Sequence, residues 1–174
     1  MLNSYLIFIS IAQVPEKYFY YRPAHPKGLS ISSSDHLKRL RFGTHTSEEN
    51  GYFEQAGVNI SYGRTIALLK RLKKGELDFI SAPPLEVEWL IDRFMADEKN
   101  NFVSTPDEAG VQRVFIIFNR NHAKGEASAE KFRQAFSAMQ KDGRFDQIVG
   151  KHLGREKGRL YLRRLESFRN GQGE

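Results

Sequence analysis

Hydrogen-bonding side chains are concentrated in three short segments between Leu40 and Ser81. The first begins Thr44-His45-Thr46-Ser47, and it carries hydroxyl, imidazole and carboxylate groups with almost no apolar side chain before Tyr52. The second is Gly63-Arg64-Thr65, and the third is at Ser81. Hydroxyl groups donate and accept hydrogen bonds, and an arginine fork binds carboxylate or phosphate oxygens. These segments therefore suit the binding of a small polar or anionic molecule.

Each polar segment follows a predicted strand. The predicted strands are Arg41-Phe42-Gly43, Gly57 to Tyr62 and Leu77 to Ser81. Apolar residues at helical spacing predict a helix capped by Thr65 after the second strand, and another helix after Pro83-Pro84. Strands separated by single helices pair in parallel with right-handed crossovers. Because ligands of such sheets bind beyond the carboxyl ends of the strands, we expect the three polar turns to meet at one edge.

Composition limits the class of protein. The chain has 174 residues and 40% hydrophobic content, which is typical of one domain, or of one lobe with an appendage, that has a buried core. It contains no cysteine, which excludes disulfides, thiolate metal sites and cysteine nucleophiles. The formal net charge is +6, and the segment 151–174 holds seven Lys or Arg against three Glu. The rest of the chain is therefore close to neutral.

Two apolar segments precede the polar turns. Tyr5 to Ala12 is an apolar run with no Lys or Arg before it, so we expect a buried β-strand rather than a signal sequence. The next segment contains the four rings Tyr18-Phe19-Tyr20-Tyr21. Side chains alternate between the two faces of a strand, which favours a core or crossover strand over a ring-stacking surface for a ligand.

The remaining segments predict a loop, a strand and three helices. Asp97 to Gly110 is polar and contains Pro106, which predicts a surface loop. Val111 to Asn119 is so apolar that we expect both of its faces to be shielded from water. The predicted helices run from about Ser128 to Lys141, from Phe145 to Leu153, and through a basic amphipathic tail that places Tyr161, Leu165 and Phe168 on one face.

The order of three segments resembles that of the extracytoplasmic solute-binding proteins of bacterial ABC importers, in the class that binds polar amino acids. The matching segments run from Ser32 to Gly43, from Leu68 to Ile80, and from Phe132 to Leu153, the last with Lys141-Asp142-Gly143-Arg144-Phe145. The likeness extends from about Tyr18 to Gly154. It implies an α/β fold: a three-layer αβα sandwich with a mostly parallel sheet, of the type 2 periplasmic-binding kind.

The resemblance also implies a division of the chain. Residues 1–31 would be a remnant of a first lobe and a crossover strand, and 32–118 the second lobe. Residues 119–154 would be closing helices that pack on a first lobe, and 155–174 the basic tail. Most of the first lobe would be missing, including the arginine that family members use to clamp a ligand carboxylate. Binding by the second lobe alone would then be weak, because a closed cleft covers most of a ligand.

Residue by residue, the resemblance implies ligand contacts at Thr44, His45, Thr46 and Ser47, at Arg64 and Thr65, and at Ser81. Helix capping by Thr46 or Ser47 and a solvated Arg64 near Glu48 or Asp92 are the structural alternatives. The family usually places a carboxylate just after the third strand to pair with an ammonium group. This chain has Ser81-Ala82-Pro83-Pro84 there, so we do not expect ordinary α-amino acid recognition.

The implied function is non-enzymatic binding of a small polar or anionic solute in the periplasm, without a cofactor or a metal. The implied partners are the solute and the membrane subunits of an importer, and a homodimer through the surface left by the missing lobe is a further expectation. No segment is long and apolar enough to span a membrane.

Three other functions remain open on the sequence. A sensor or regulatory lobe would use the same fold. His45 with Glu48 and Glu49 could bind a divalent metal or perform acid-base chemistry, although no second histidine is spaced for ligation. The basic residues between Arg155 and Arg169 could bind nucleic acid, although Glu156 and Glu166 dilute the positive charge and make this the less favoured function.

Overall fold

The computed structural model describes residues 5–31, 37–45, 51–159 and 161–163. The strands are β1 (Leu6–Tyr21), β2 (Arg41–Thr44), β3 (Asn59–Tyr62), β4 (Phe79–Ala82) and β5 (Phe102–Asn119). The helices are α1 (Gly51–Gln55), α2 (Thr65–Lys73), α3 (Pro84–Phe94), a 3₁₀ helix (Ala96–Asn101), α4 (Gly125–Lys141) and α5 (Arg144–Leu153). Residues 155–159 and 161–163 are also helical.

The strands form one open sheet in the order β3-β2-β4-β1-β5. Strand β2 pairs in parallel with β3, where Thr44 is opposite Tyr62, and in parallel with β4, where Gly43 is opposite Ile80. The predicted parallel pairing of the three strands is therefore confirmed. Strand β1 pairs with β4 in the antiparallel direction, with Tyr18 opposite Ser81.

Helices cover both faces of this part of the sheet. On one face, α2 and α3 pack through leucine and valine side chains against Phe19, Ile80 and Ala82 of the sheet. On the other face, Leu37, Phe53 of α1 and Val58 pack against Phe42 and Phe79. The result is a sheet between two helical layers, as the resemblance implies.

The second face carries a compact group of aromatic rings. Phe42 and Phe79 are stacked with their centroids 4.7 Å apart, and Tyr18 makes edge contacts with both. Phe53 from α1 closes the group at 4.7 Å from Phe42. We call Tyr18, Phe42, Phe53 and Phe79 the aromatic layer. These aromatic contacts are worth about 0.5–1.5 kcal/mol each beyond the area they bury.

An ion pair fixes the amino ends of β2 and β4. Arg41 donates from its backbone N and from Nε to Asp78 Oδ2, at 2.7 and 2.9 Å, and from a terminal guanidinium nitrogen to Oδ1 at 3.0 Å. The Asp78 backbone N donates in return to Arg41 O at 2.9 Å. Because these bonds involve both backbone and side-chain atoms, they fix the register of β2 against β4.

The chain divides into two compact units, Pro15–Gln112 and Met1–Val14 with Arg113–Glu174. The sheet faces described above belong to the first unit. In the second unit, Ile7 and Ile9 of β1 pack with Ala129, Phe118 and Phe132. The boundaries implied by the resemblance, at residues 31, 118 and 154, stay predictions.

Strand β5 differs from two expectations. The expected loop from Asp97 to Gly110 is wrong, because residues 96–101 form the 3₁₀ helix and β5 begins at Phe102. Pro106 lies within the strand, which is permitted because β5 is at the edge of the sheet and has only one neighbour. The expectation that both faces of 111–119 are buried is also wrong, since Phe115 and Ile117 are exposed.

The amino-terminal segment is one continuous strand rather than two extended pieces. Residues on β1 alternate, with Ile7 and Ile9 buried and Phe8 exposed, and Phe8 makes an edge contact with Phe115. Of the predicted tail, Leu165 and Phe168 lie outside the described residues, as does the segment 32–36. Every helix in the described ranges is too short or too polar to cross a bilayer.

Gly43 is the residue of β2 that faces the α2 side of the sheet. A Cβ at this position would lie 2.7 Å from Leu77 Cδ1 and 3.0 Å from both Ile80 Cγ2 and Leu68 Cδ2. All three neighbours are fully buried. We therefore expect Gly43→Ala to destabilise the protein by about 1–3 kcal/mol through overpacking.

Urea unfolding followed by circular dichroism measures this effect. Gly51→Ala is the matched control, since a Cβ there would meet no atom of the described residues within 4 Å beyond its own chain neighbours and helix backbone. Equal unfolding free energies for the two variants would contradict the close packing at Gly43.

Glu98 connects three elements of the larger unit. Its carboxylate accepts hydrogen bonds from Tyr21 Oη and Asn101 Nδ2, both at 2.7 Å, and pairs with Lys73 Nζ at 2.8 Å. The hydrogen bond from Lys73, followed by those from Tyr21 and Asn101, lowers the Glu98 pKa from 4.5 to about 2. Its charged form is thus favoured by the folded state.

This pKa makes stability depend on pH in a defined range. Above pH 4.5 the carboxylate is ionised in both states and its stabilisation is complete; as the pH falls towards 2, the unfolded chain takes up the proton first and the stabilisation is lost. We expect the difference in unfolding free energy between wild type and Glu98→Gln to be larger at pH 6 than at pH 3. Urea titrations at the two pH values measure it, and a constant difference would exclude this role.

Candidate functional site

A row of polar residues follows the aromatic layer on three neighbouring strands. Thr44 lies two positions after Phe42, and Ser81 lies two positions after Phe79. On the antiparallel strand β1, Glu16 lies two positions before Tyr18. Because side chains alternate along a strand, each polar residue lies on the same face as its aromatic neighbour. Thr44, Ser81 and Glu16, which we call the polar row, therefore lie at the carboxyl ends of the parallel strands, with Tyr18 opposite Ser81 and Glu16 two residues further out.

The centre of the row is a pair of buried hydroxyl groups. Ser81 Oγ donates a hydrogen bond to Thr44 Oγ1 at 3.1 Å, and the two residues are 5% and 0% exposed. Strands β2 and β4 run in parallel, with Gly43 opposite Ile80, so the next residues, Thr44 and Ser81, are also opposite each other. The predicted convergence of the first and third turns is confirmed by this contact.

The second polar turn is joined to the same edge through the backbone. Gly63 N donates to Thr44 O at 3.1 Å, so the turn between the end of β3 and the start of α2 lies against the end of β2. Arg64 is exposed and is the residue that precedes helix α2. The predicted cap at Thr65 is wrong: Thr65 is the first helical residue, it is buried, and the helix start has no side-chain cap. Asp92 accepts a bond from Lys99 instead of pairing with Arg64.

Glu16 is the residue that the sequence analysis missed. Lys17 is opposite Ala82 in the β1–β4 register, so Glu16 lies beside the position that follows the end of β4. It is only 7% exposed. Glu16 therefore places a carboxylate at the edge of the sheet where Ser81-Ala82-Pro83-Pro84 has none. The sign that could have indicated it is a single acidic residue two positions before an aromatic one, on a strand predicted to be core.

His45 joins Glu16 to the end of β2. Its Nε2 lies 3.4 Å from Glu16 Oε1, and its side chain is 21% exposed. The other ring nitrogen, Nδ1, is buried and has no hydrogen-bond partner among the described residues.

The structure thus brings Thr44, His45 and Ser81 together and places Arg64 and Thr65 in the adjoining turn. Thr46 and Ser47 lie outside the described residues, as do Glu48 and Glu49, so the metal or acid-base alternative for that turn is not described. Elsewhere in the described ranges, no three His, Asp or Glu side chains are grouped to hold a metal ion. The ligand-binding role of all seven predicted residues stays a prediction.

Solved structures share this arrangement of strands and helices. The chain superimposes with a TM-score of 0.61 and 17% identity on a probable amino-acid ABC transporter extracellular-binding protein, YtmK, from Bacillus subtilis, covering 87% of this chain and 65% of that one. It superimposes with a TM-score of 0.62 and 16% identity on a periplasmic His/Glu/Gln/Arg/opine family-binding protein from Silicibacter pomeroyi in complex with lysine, covering 89% and 65%.

The chain has the type 2 periplasmic-binding fold. A third structure, an ancestral arginine-binding protein bound to arginine, gives a TM-score of 0.60 at 18% identity and covers 83% of this chain and 63% of that one. This chain therefore spans slightly less than two thirds of the length of these periplasmic-binding structures. No protein-family model matches the sequence, and no curated protein sequence is recognisably similar to it.

The Ser81–Thr44 contact can be tested by a double-mutant cycle. Thr44→Val and Ser81→Ala each remove one hydroxyl of a buried pair, and each should destabilise the protein because the remaining partner loses its hydrogen bond. We expect a coupling free energy of about 0.5–1.5 kcal/mol from urea unfolding of the two single variants and the double variant. Strictly additive losses would show that the two hydroxyls do not interact.

Proposed function

We propose that this chain is a non-enzymatic binding protein for a small polar solute, held at the carboxyl edge of the sheet by Thr44, Ser81 and Arg64. The observation that supports it is that a buried hydroxyl pair, the turn that carries the exposed Arg64, and a His45 nitrogen without a partner among the described residues all occur at one edge. In open α/β sheets this edge is where ligands bind. The solved structures with this fold are described as amino-acid binding proteins, which supports the same class of function.

The chemistry of the edge favours binding over catalysis. Hydroxyl groups and a guanidinium fork can hold a polar molecule by hydrogen bonds without activating a nucleophile. Arg64 makes no ion pair with a described residue that would neutralise it, so it is available to an anionic group of a solute. The proposed location is the periplasm and the proposed partners are the membrane subunits of an ABC importer. A homodimer and a sensor role of the same lobe remain alternatives within this proposal.

Affinity from this edge alone should be low. A ligand pocket usually encloses 70–90% of a small molecule, whereas a single sheet edge contacts one side of it. The binding experiment must therefore detect dissociation constants up to about 1 mM, equivalent to about −4.1 kcal/mol. Ligand-observed NMR of the whole chain against a library of amino acids and small organic acids has that range.

We expect saturable binding of at least one solute. The affinity should fall less in 0.5 M salt than that of a purely ionic contact would. Arg64→Ala should weaken it about tenfold, because a charge-assisted hydrogen bond is lost. Lys70→Ala is the charge-matched control, since Lys70 is exposed on helix α2, near its carboxyl end and away from Arg64. No binding to any library member, or equal losses in both variants, would overturn the proposal.

A second candidate has one observation in its favour. Arg155, Arg159 and Arg163 line a cleft of about 400 Å³ together with Asp146. Three arginines lining one cleft would attract phosphate groups, and binding to arbitrary DNA that falls steeply with salt would support a nucleic-acid function. Asp146 reduces the positive potential of this cleft, so we place the candidate second.

A further inference from the structure

We propose that the cleft lined by Arg155, Arg159 and Arg163 binds a small phosphate ester that carries free hydroxyl groups, such as a sugar phosphate. The cleft has a volume of about 400 Å³, within the range of about 300–1,000 Å³ that is usual for small-molecule pockets. All of its lining residues belong to the second unit. The site shares no residue with the one proposed at the sheet edge, and the inference does not depend on that function.

Two glycines shape the cleft. Gly158 lies in the helical segment 155–159, and a Cβ on it would lie 3.2 Å from Gly150 Cα and 3.4 Å from Gly150 N of α5. The segment and α5 therefore approach each other through backbone atoms at this point. A Cβ on Gly150 itself would meet no described atom within 4 Å, apart from its chain neighbours and its own helix. The cleft therefore has free space beside Gly150.

The arginines supply the groups that would hold the phosphate. Arg155 and Arg159 are four residues apart on the helical segment, so they lie on one face of it, and Arg163 lines the same cleft. All three are exposed, and none of them makes an ion pair with a described residue. A guanidinium fork donates two parallel hydrogen bonds to phosphate oxygens. The donors of this cleft are therefore available to a phosphate group.

Asp146 determines what the rest of the ligand must offer. It lines the cleft from α5, and it makes no hydrogen bond or ion pair with the arginines. Its carboxylate accepts hydrogen bonds but repels a phosphate, so a ligand that suits it presents donors at this position. An ammonium group would be repelled by the three arginines in the same cleft. A pair of hydroxyl groups can meet both carboxylate oxygens without that repulsion.

The same aspartate distinguishes a small ligand from a DNA strand. The phosphodiester backbone of DNA has no free hydroxyl group, so Asp146 contributes only repulsion to its binding. A sugar phosphate gains a hydrogen bond from the same carboxylate. Replacement of Asp146 should therefore strengthen the binding of DNA and weaken the binding of a sugar phosphate.

Ribose 5-phosphate and inorganic phosphate test the proposal on the whole chain at low salt. We expect wild type to bind ribose 5-phosphate about tenfold more tightly, because its hydroxyls donate hydrogen bonds to a charged acceptor. Asp146→Ala should remove this preference without weakening the binding of inorganic phosphate, since it removes an acceptor and a repelling charge together. Ligand-observed NMR titrations measure both affinities. Equal affinities in wild type, or a preference that survives in Asp146→Ala, would overturn the proposal.

Three further variants locate the binding. Arg159→Gln should weaken ribose 5-phosphate binding about tenfold through the loss of a charge-assisted hydrogen bond. Gly150→Leu should abolish it by filling the free space without a change of charge. Lys151→Gln is the charge-matched control, because Lys151 is exposed on α5 and does not line the cleft, and its effect should stay within about twofold. Equal losses in Arg159→Gln and Lys151→Gln would show attraction to a basic surface and exclude the site.

A measurement on wild type does not depend on a correctly folded variant. In ¹⁵N-labelled protein, the backbone amide resonances of Gly150 and Gly158 should shift together during titration with ribose 5-phosphate, since both glycines line the cleft. Shifts at Thr44 and Arg64 instead would place the ligand at the sheet edge, and would overturn the cleft site while the proposed function stands. Binding of DNA but not of ribose 5-phosphate would also overturn it, in favour of a nucleic-acid function.

Discussion

Alternation of side chains along β1, β2 and β4 is the constraint on which the candidate site depends. The same face that holds Tyr18, Phe42 and Phe79 in the core must, two residues further towards the carboxyl edge, hold the polar row. The stacked rings fix the positions of the strands relative to one another, since packed interiors do not deform easily. A one-residue slip of any of these strands would move its polar residue to the opposite face.

Register is therefore as important to the site as the identity of its residues. It is secured at the amino ends by the Arg41–Asp78 bonds and in the middle by Gly43, whose missing side chain lets α2 and Leu77 pack closely. The Arg41–Asp78 bonds lie at the opposite end of the strands from the polar row, and Gly43 directly precedes Thr44 but faces the other side of the sheet. The site is therefore positioned by contacts outside the row, and its own Ser81–Thr44 hydrogen bond adds only a modest share.

Local patterns in the sequence were enough to predict β2, α2, β4 and α3, because helical and strand periodicity is a property of neighbouring residues. The parallel pairing and the meeting of Thr44 with Ser81 followed from strands joined by single helices. The sequence shows Glu16 as a lone acidic residue on a predicted core strand, but its place at this edge could not be predicted in the same way. That place depends on the pairing of Lys17 with Ala82, a contact between distant segments that no local pattern encodes. The predicted strand at residues 111–119 is shorter than β5 for a related reason. Pro106 indicated a loop, but proline is permitted in a strand at the edge of a sheet, and the sequence does not show that β5 is an edge strand.

The proposed binding edge suits selection between solutes more than high affinity. One wall would leave much of a ligand in water, so the total binding free energy would be small whichever groups contact it. The preference between an anionic solute and its neutral counterpart depends only on the difference between two such contacts, and the exposed remainder of the ligand cancels from it. In the proposed site, a charge-assisted hydrogen bond from the exposed Arg64 would act on that difference directly. Discrimination by charge would then be strong at an edge whose affinity is weak.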